Sequence, residues 1–130
     1  MSINLIIGCM FSGKTSELIR IAKMNKLLSK KVLIINFDED KRYTDNQKIC
    51  THDRVTLDSL PCGKDIFHVK IFQDYCDSDI VCINEGQFFD NLVLFCLQAC
   101  SEGKEIHVCG LDGDYLKRPF GEILNLIPHC

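Results

Sequence analysis

The eight residues Gly8-Cys9-Met10-Phe11-Ser12-Gly13-Lys14-Thr15 constrain this chain more than any other feature, because they fit G-x-x-x-x-G-K-[ST] at every specified position. Glycine near both ends lets the backbone curl until consecutive N–H groups face one point, a concavity suited to a phosphate. The pattern needs a strand before it and a helix after it. Ile3-Asn4-Leu5-Ile6-Ile7 is an apolar run of strand length, and from Lys14 onward Leu18, Ile21 and Ala22 recur at helical spacing. The alternative is an ordinary glycine turn with a chance Gly-Lys-Thr, and the flanking elements weigh against it. In the phosphate reading Lys14 reaches the outer phosphates and the Thr15 hydroxyl can bind Mg²⁺.

Beyond the loop, Val32-Leu33-Ile34-Ile35 reads as a buried parallel strand, which makes the first unit βαβ. Residues 38 to 65 are polar, with a weak edge-strand candidate near Val55-Leu57 closed by Pro61 and Gly63. His68-Val69-Lys70-Ile71-Phe72 alternates like a short strand, and Ile80-Val81-Cys82-Ile83 is a second buried run that ends in Asn84-Glu85. Leu92, Phe95, Cys96 and Ala99 fall at i, i+3, i+4 and i+7, predicting a helix stopped by Gly103. Ile106-His107-Val108-Cys109 follows as another strand. Strands alternating with helices select an α/β fold with a mainly parallel sheet flanked by helices, whose ligands bind beyond the carboxyl ends of the strands.

The 130 residues are 46% hydrophobic and 25% charged with three prolines, which describes one compact domain over 1–130 without repeat, linker or low-complexity tract. Fifteen Lys+Arg against 18 Asp+Glu leave a formal charge of -3, so no bulk field draws the chain to nucleic acid or an anionic membrane, and phosphate binding must come from a local site. No apolar run reaches the roughly 18 residues of a membrane span, and the first residues lack the cationic flank of a signal peptide, so the expected location is cytoplasmic. None of the nine cysteines stands in a C-x-x-C spacing, and their number is odd. They read as reduced thiols, with Cys82, Cys96 and Cys109 serving as small core hydrophobes, rather than as a zinc site or a disulfide framework.

Asn84-Glu85 ends a buried strand, the place where many nucleotide-binding α/β enzymes carry an acidic residue facing the metal of the nucleotide. Glu85 can serve there as a general base toward an acceptor hydroxyl, or it can be a solvated glutamate at a strand end.

Several segments then converge. Ile6 through Arg20, Asp40-Lys41-Arg42-Tyr43, Thr51-His52-Asp53, Glu85-Gly86-Gln87-Phe88-Phe89, Gly110-Leu111-Asp112-Gly113-Asp114-Tyr115 and the run from Arg118-Pro119-Phe120-Gly121 to Pro128 closely resemble the thymidine kinases of the zinc-ribbon type, found in cells and in large DNA viruses. The resemblance is collinear along the whole chain. It implies a P-loop NTPase-like nucleoside kinase domain that moves the γ-phosphate of ATP, with Mg²⁺, to the 5′-hydroxyl of thymidine, deoxyuridine being a second acceptor. The product, dTMP, enters DNA synthesis by nucleotide salvage. Glu85 matches the family's base, and Lys14 and Arg42 balance charge on the transferring group. Gly8, Cys9, Met10, Phe11, Ser12, Gly13, Lys14, Thr15, Asn84 and Gln87 match the ATP site, with Thr15, and Asn84 through water, on the Mg²⁺. Met10, Phe88, Leu111, Tyr115 and Phe120 match the walls of the thymine pocket, positions that plain core packing would otherwise explain, and Asp40 matches a position near the sugar. Relatives assemble as dimers and tetramers, so a homo-oligomer falls within the expectation.

Three departures from the family pattern carry expectations of their own. Asn84 stands where the family has Asp, which keeps an acceptor oxygen but removes a charge and implies weaker Mg²⁺ binding. Cys9 replaces a usual Pro, which restores a backbone donor, leaves ATP binding intact and puts a thiol near a helix N-terminus. His129-Cys130 falls where the family continues into a further strand and a zinc ribbon with a substrate-covering loop. The sequence thus reads as a core truncated before the ribbon, with no zinc site of its own, an open pocket and an exposed sheet edge. A catalytically impaired nucleotide-binding remnant acting through assembly or regulation is the competing expectation, and another P-loop enzyme such as an ATPase is the third.

Overall fold

The computed structural model describes residues 2–8, 13–37, 48–50, 56–58, 60–67, 69–111 and 121–130. Strand β1 (Ile3–Gly8) leads to helix α1 (Lys14–Leu27), followed by β2 (Val32–Phe37), a hairpin of β3 (Lys48–Cys50) and β4 (Thr56–Asp58), and β5 (Leu60–Cys62). Helix α2 (Val69–Asp77), β6 (Ile80–Asn84), α3 (Leu92–Ser101) and β7 (Glu105–Leu111) complete the main elements, with 3-10 segments at Gly86–Phe88 and Ile123–His129. The main sheet runs β1-β7-β6-β2-β5 with every pairing parallel, while β3 and β4 form an antiparallel pair apart from it. The α/β expectation with a mainly parallel sheet holds. The first βαβ unit does not join neighbours, since β7 and β6 lie between β1 and β2.

Alternation along the central strands sends side chains to two separate cores. Ile34, Ile80, Cys82 and Cys109 face α1 and pack with Leu18, Ile19 and Ala22. Leu33, Ile35, Val81, Ile83, Ile106 and Val108 face the other way, toward Ile71 and Tyr75 of α2, Phe95, Cys96 and Ala99 of α3, and Ile123 and Leu126 near the end of the chain. Full burial of such side chains contributes about 1.5–3 kcal/mol each. Cys82, Cys96 and Cys109 are in these cores as expected. Burial pushes each of the three thiols up to about 12, which keeps them protonated and inert at neutral pH.

Two local readings are corrected. Within the strand expected over His68–Phe72, His68 lies outside the described residues and the rest is not strand: from Val69 the chain is helical through Asp77, and Ile71 and Tyr75, one turn apart, are buried while Phe72 is 66% exposed. Pro61 does not close the polar stretch but lies inside β5, an outer strand of the main sheet, where a residue without an N–H is tolerated. The edge strand expected near Val55-Leu57 is present as β4 from Thr56, paired among the described residues with β3.

Helix α3 begins at Asn91 in the left-handed region without a capping side chain of its own. Glu122 supplies the cap from the far end of the chain: its carboxylate accepts the Asn91 N–H at 2.7 Å and the Val93 N–H at 3.4 Å. The C-terminal segment is thereby fixed against the turn after β6. At the opposite end of the sheet Lys104, buried, donates to the Ser78 carbonyl at 2.6 Å and lies 4.6 Å over the Tyr75 ring. A buried ammonium is tolerated there because it is both hydrogen-bonded and set against an aromatic face.

Candidate active site

Parallel strands deliver their last residues to one end of the sheet, and there the chemistry of this chain collects. Gly8 ends β1, Asn36 and Phe37 end β2, Asn84 ends β6 and Leu111 ends β7. Gly13 enters α1 with φ of 85°, a conformation that only glycine adopts without strain. Gly13, at the N-cap, makes no side-chain hydrogen bond, and the partial positive charge of a helix N-terminus suits an anion. Glu17, one turn in, is held by Arg20 at 2.9 Å, which directs its carboxylate along the helix surface.

The decisive contact joins two segments 69 residues apart: the Thr15 hydroxyl donates to the Asn84 carboxamide oxygen at 3.3 Å. It brings the start of α1 onto the end of β6, with Lys14 and Glu85 each adjacent in sequence to one partner. Asn84 is buried and also donates through Nδ2 to Asn36 Oδ1 at 2.8 Å, while the Cys109 thiol donates to its oxygen at 3.0 Å. Two neutral oxygens, from Thr15 and Asn84, thus converge at the start of α1. This is the hard donor type that Mg²⁺ takes alongside water and phosphate oxygens, so the residues present fit that ion.

Immediately after Asn84, Glu85 has φ of 59° and ψ of 47°. A non-glycine residue in the left-handed region costs about 1–3 kcal/mol and persists only where its surroundings impose it. The turn Gly86–Phe88 that follows imposes it here. Glu85 is half-buried, and its carboxylate accepts a hydrogen bond from Gln87 Nε2 at 2.7 Å. Gln87 is itself buried and fits a notch made by two glycines. A Cβ on Gly121 would strike the Gln87 carbonyl oxygen; one on Gly110 would strike Gln87 Oε1 and come within 2.6 Å of Ile123 Cδ1.

That notch makes a prediction. Gly110→Ala should displace the Gln87 side chain and release the Glu85 carboxylate, at a stability cost of about 1–3 kcal/mol from overpacking. Thermal unfolding and turnover should both fall. An unchanged melting temperature with unchanged turnover would remove the notch's role.

Phe88, half-buried, stacks on Phe37 with ring centroids 4.6 Å apart and planes at 22°, and Phe89 meets the same Phe37 ring edge-on at 5.6 Å. Of the residues expected at the site, Gly8, Gly13, Lys14, Thr15, Asn84, Glu85, Gln87, Phe88 and the backbone of Leu111 lie at this end of the sheet. Cys9, Met10, Phe11, Ser12, Asp40, Arg42, Tyr115 and Phe120 lie outside the described residues. Sequence reasoning missed Asn36, Phe37, Cys109 and Gly110. For Asn36 the signal was present, a polar residue directly after a buried run, the same pattern that singled out Asn84.

Among the described residues no group of three or more His, Cys, Asp or Glu is placed to hold a metal ion, and no helix is long and apolar enough to cross a membrane.

The family model described as thymidine kinase matches residues 1–130. The human protein named cytosolic thymidine kinase is 39% identical over 126 residues, covering 97% of this chain and 52% of its own length. Thymidine kinase of Yaba monkey tumor virus is 39% identical over 128 residues, covering 98% of this chain and 68% of its own. That of vaccinia virus, strain Western Reserve, is 39% identical over 126 residues, covering 97% and 68%. The chain therefore spans about half the length of the human relative and about two thirds of the viral ones.

Proposed function

The chain belongs to the thymidine kinase family, and from that premise we propose that it transfers the γ-phosphate of ATP to the 5′-hydroxyl of thymidine, giving dTMP for DNA synthesis. The observation that supports this reading best is the Thr15–Asn84 hydrogen bond, which joins the helix start that follows the glycine motif to the Asn84-Glu85 strand end. Phosphoryl transfer is mainly a matter of positioning and charge neutralisation, and these two segments supply both.

In this reading the loop N–H groups and the α1 N-terminus hold the phosphates of ATP, and Lys14 balances charge on the transferring group. Thr15 and Asn84 would hold Mg²⁺. When bound, the ion neutralises phosphate charge. Glu85, fixed by its turn and by Gln87, accepts the proton of the 5′-hydroxyl as that oxygen attacks. Phe88, backed by Phe37, offers a flat apolar wall to the base. Arg42, Asp40, Met10, Leu111, Tyr115 and Phe120 complete the charge balance, the sugar contact and the pocket, as in the family. The protein works in the cytoplasm, in keeping with the human relative named cytosolic, and a homo-oligomeric assembly is proposed on family grounds. A non-catalytic remnant is not the favoured reading, since Lys14, Thr15 and Glu85 are all retained around one point.

Release of ADP from Mg-ATP should depend on added thymidine and not on cytidine. Release independent of any nucleoside would instead indicate an ATPase. Asn84→Asp restores a charge beside the ion, and Asn36 can turn its amide to donate to it. The apparent Kd for Mg²⁺ in ATP-dependent turnover should fall severalfold, and an unchanged value would refute the role given to Asn84.

A further inference from the structure

A carboxamide presents two ends of nearly equal size and opposite polarity, an oxygen that only accepts and an NH₂ that only donates. A carboxylate at position 84 would offer oxygen either way up; Asn84 offers it in one of two orientations. The Thr15 hydroxyl does not choose between them, because it can donate or accept. Asn36 and Cys109 together favour one of them. Parallel register sets Asn36 directly beside Asn84, and Cys109 follows the paired Ile83 and Val108 on the other side.

We propose that Asn36 and Cys109 are positioning residues that jointly hold the Asn84 carboxamide with its oxygen toward Thr15, and so make an uncharged side chain serviceable to nucleotide-bound Mg²⁺. Asn36 takes the NH₂ end at 2.8 Å, so turning Asn84 alone would set two carbonyl oxygens face to face. Turning both amides together would relieve that clash. The Cys109 thiol opposes this escape: its S–H donates to the Asn84 oxygen at 3.0 Å, and the turned amide would offer it an NH₂, for which sulfur is only a weak acceptor. Asn84 is 7% exposed and Cys109 1%, so water does not compete for the thiol contact, while Asn36 is half-buried. Neither Asn36 nor Cys109 touches the nucleotide in this scheme; both act through Asn84.

The inference rests on the kinase reading, and its test is made on binding instead of turnover. Affinity for a non-hydrolysable ATP analogue is measured by calorimetry with Mg²⁺ and again with EDTA, so that the gain due to the ion is isolated. Asn36→Leu and Cys109→Ala should each lose ~5–10-fold of that gain, the effect of one hydrogen bond, with metal-free affinity unchanged. Asn36→Asp and Cys109→Ser, which keep an acceptor and a donor respectively, should retain it. A merely structural role would lower both affinities together. Full Mg²⁺ gain in Asn36→Leu, or equal loss in Asn36→Asp, would overturn the proposal, as would a wild-type chain that binds the analogue with no Mg²⁺ gain. Failure to bind the analogue at all overturns the kinase reading itself.

Discussion

Glu85→Gln lowers thymidine phosphorylation by about a hundred- to ten-thousand-fold, the range typical of a lost general base. The substitution is close to isosteric, and the new carboxamide oxygen can still accept the Gln87 hydrogen bond that measures 2.7 Å in the native chain. The left-handed turn at residue 85 is therefore kept, as are the Gly86–Phe88 segment and its packing. What is lost is the ability to take a proton. The fall should appear in kcat, with ATP affinity and melting temperature unchanged. Matched losses in kcat and stability would instead make Glu85 a structural residue at a strand end.

Lys14→Ala gives the second large effect, with a different signature. Lys14 is the first residue of α1, next to the left-handed Gly13 and to Thr15. Removing a preorganised group that meets developing charge costs about a hundred- to thousand-fold in kcat. Unlike the Glu85 variant, this one also weakens ATP binding, since the same ammonium meets the phosphates in the ground state. Fold and melting temperature should hold, because α1 is anchored by Leu18, Ile19 and Ala22 on its buried face. Retained ATP affinity in Lys14→Ala would contradict the assignment of the loop.

Both variants fall on residues that stand out in the sequence for a physical reason. The phosphate loop was legible because its chemistry is local: glycines, lysine and threonine at fixed spacing between a strand and a helix. Asn84-Glu85 was legible for a related reason, as polar residues that end a five-residue strand buried throughout. The error at 68–72 has a physical cause. Over five residues, alternation and helical spacing are hard to tell apart, and only the continuation to Tyr75 and Cys76 reveals the helical repeat. Asn36, Cys109 and Gly110 were missed because their importance lies in register. Nothing in the local sequence says that β2 and β7 lie on either side of β6. Only that order makes Asn36 and Cys109 the neighbours of one carboxamide and turns Gly110 into a wall of the Gln87 notch. The capping of α3 by Glu122, 31 residues beyond Asn91, was invisible for the same reason.

The central claim is that the phosphate loop and Glu85 form one phosphoryl-transfer site. The most direct measurement is transfer of labelled γ-phosphate from Mg-ATP to thymidine by the purified 130-residue chain, with Glu85→Gln and Lys14→Ala in parallel. Label should appear in dTMP with the native chain and be lost in both variants. Absence of label from dTMP with the native chain, while ATP remains bound, would contradict the claim.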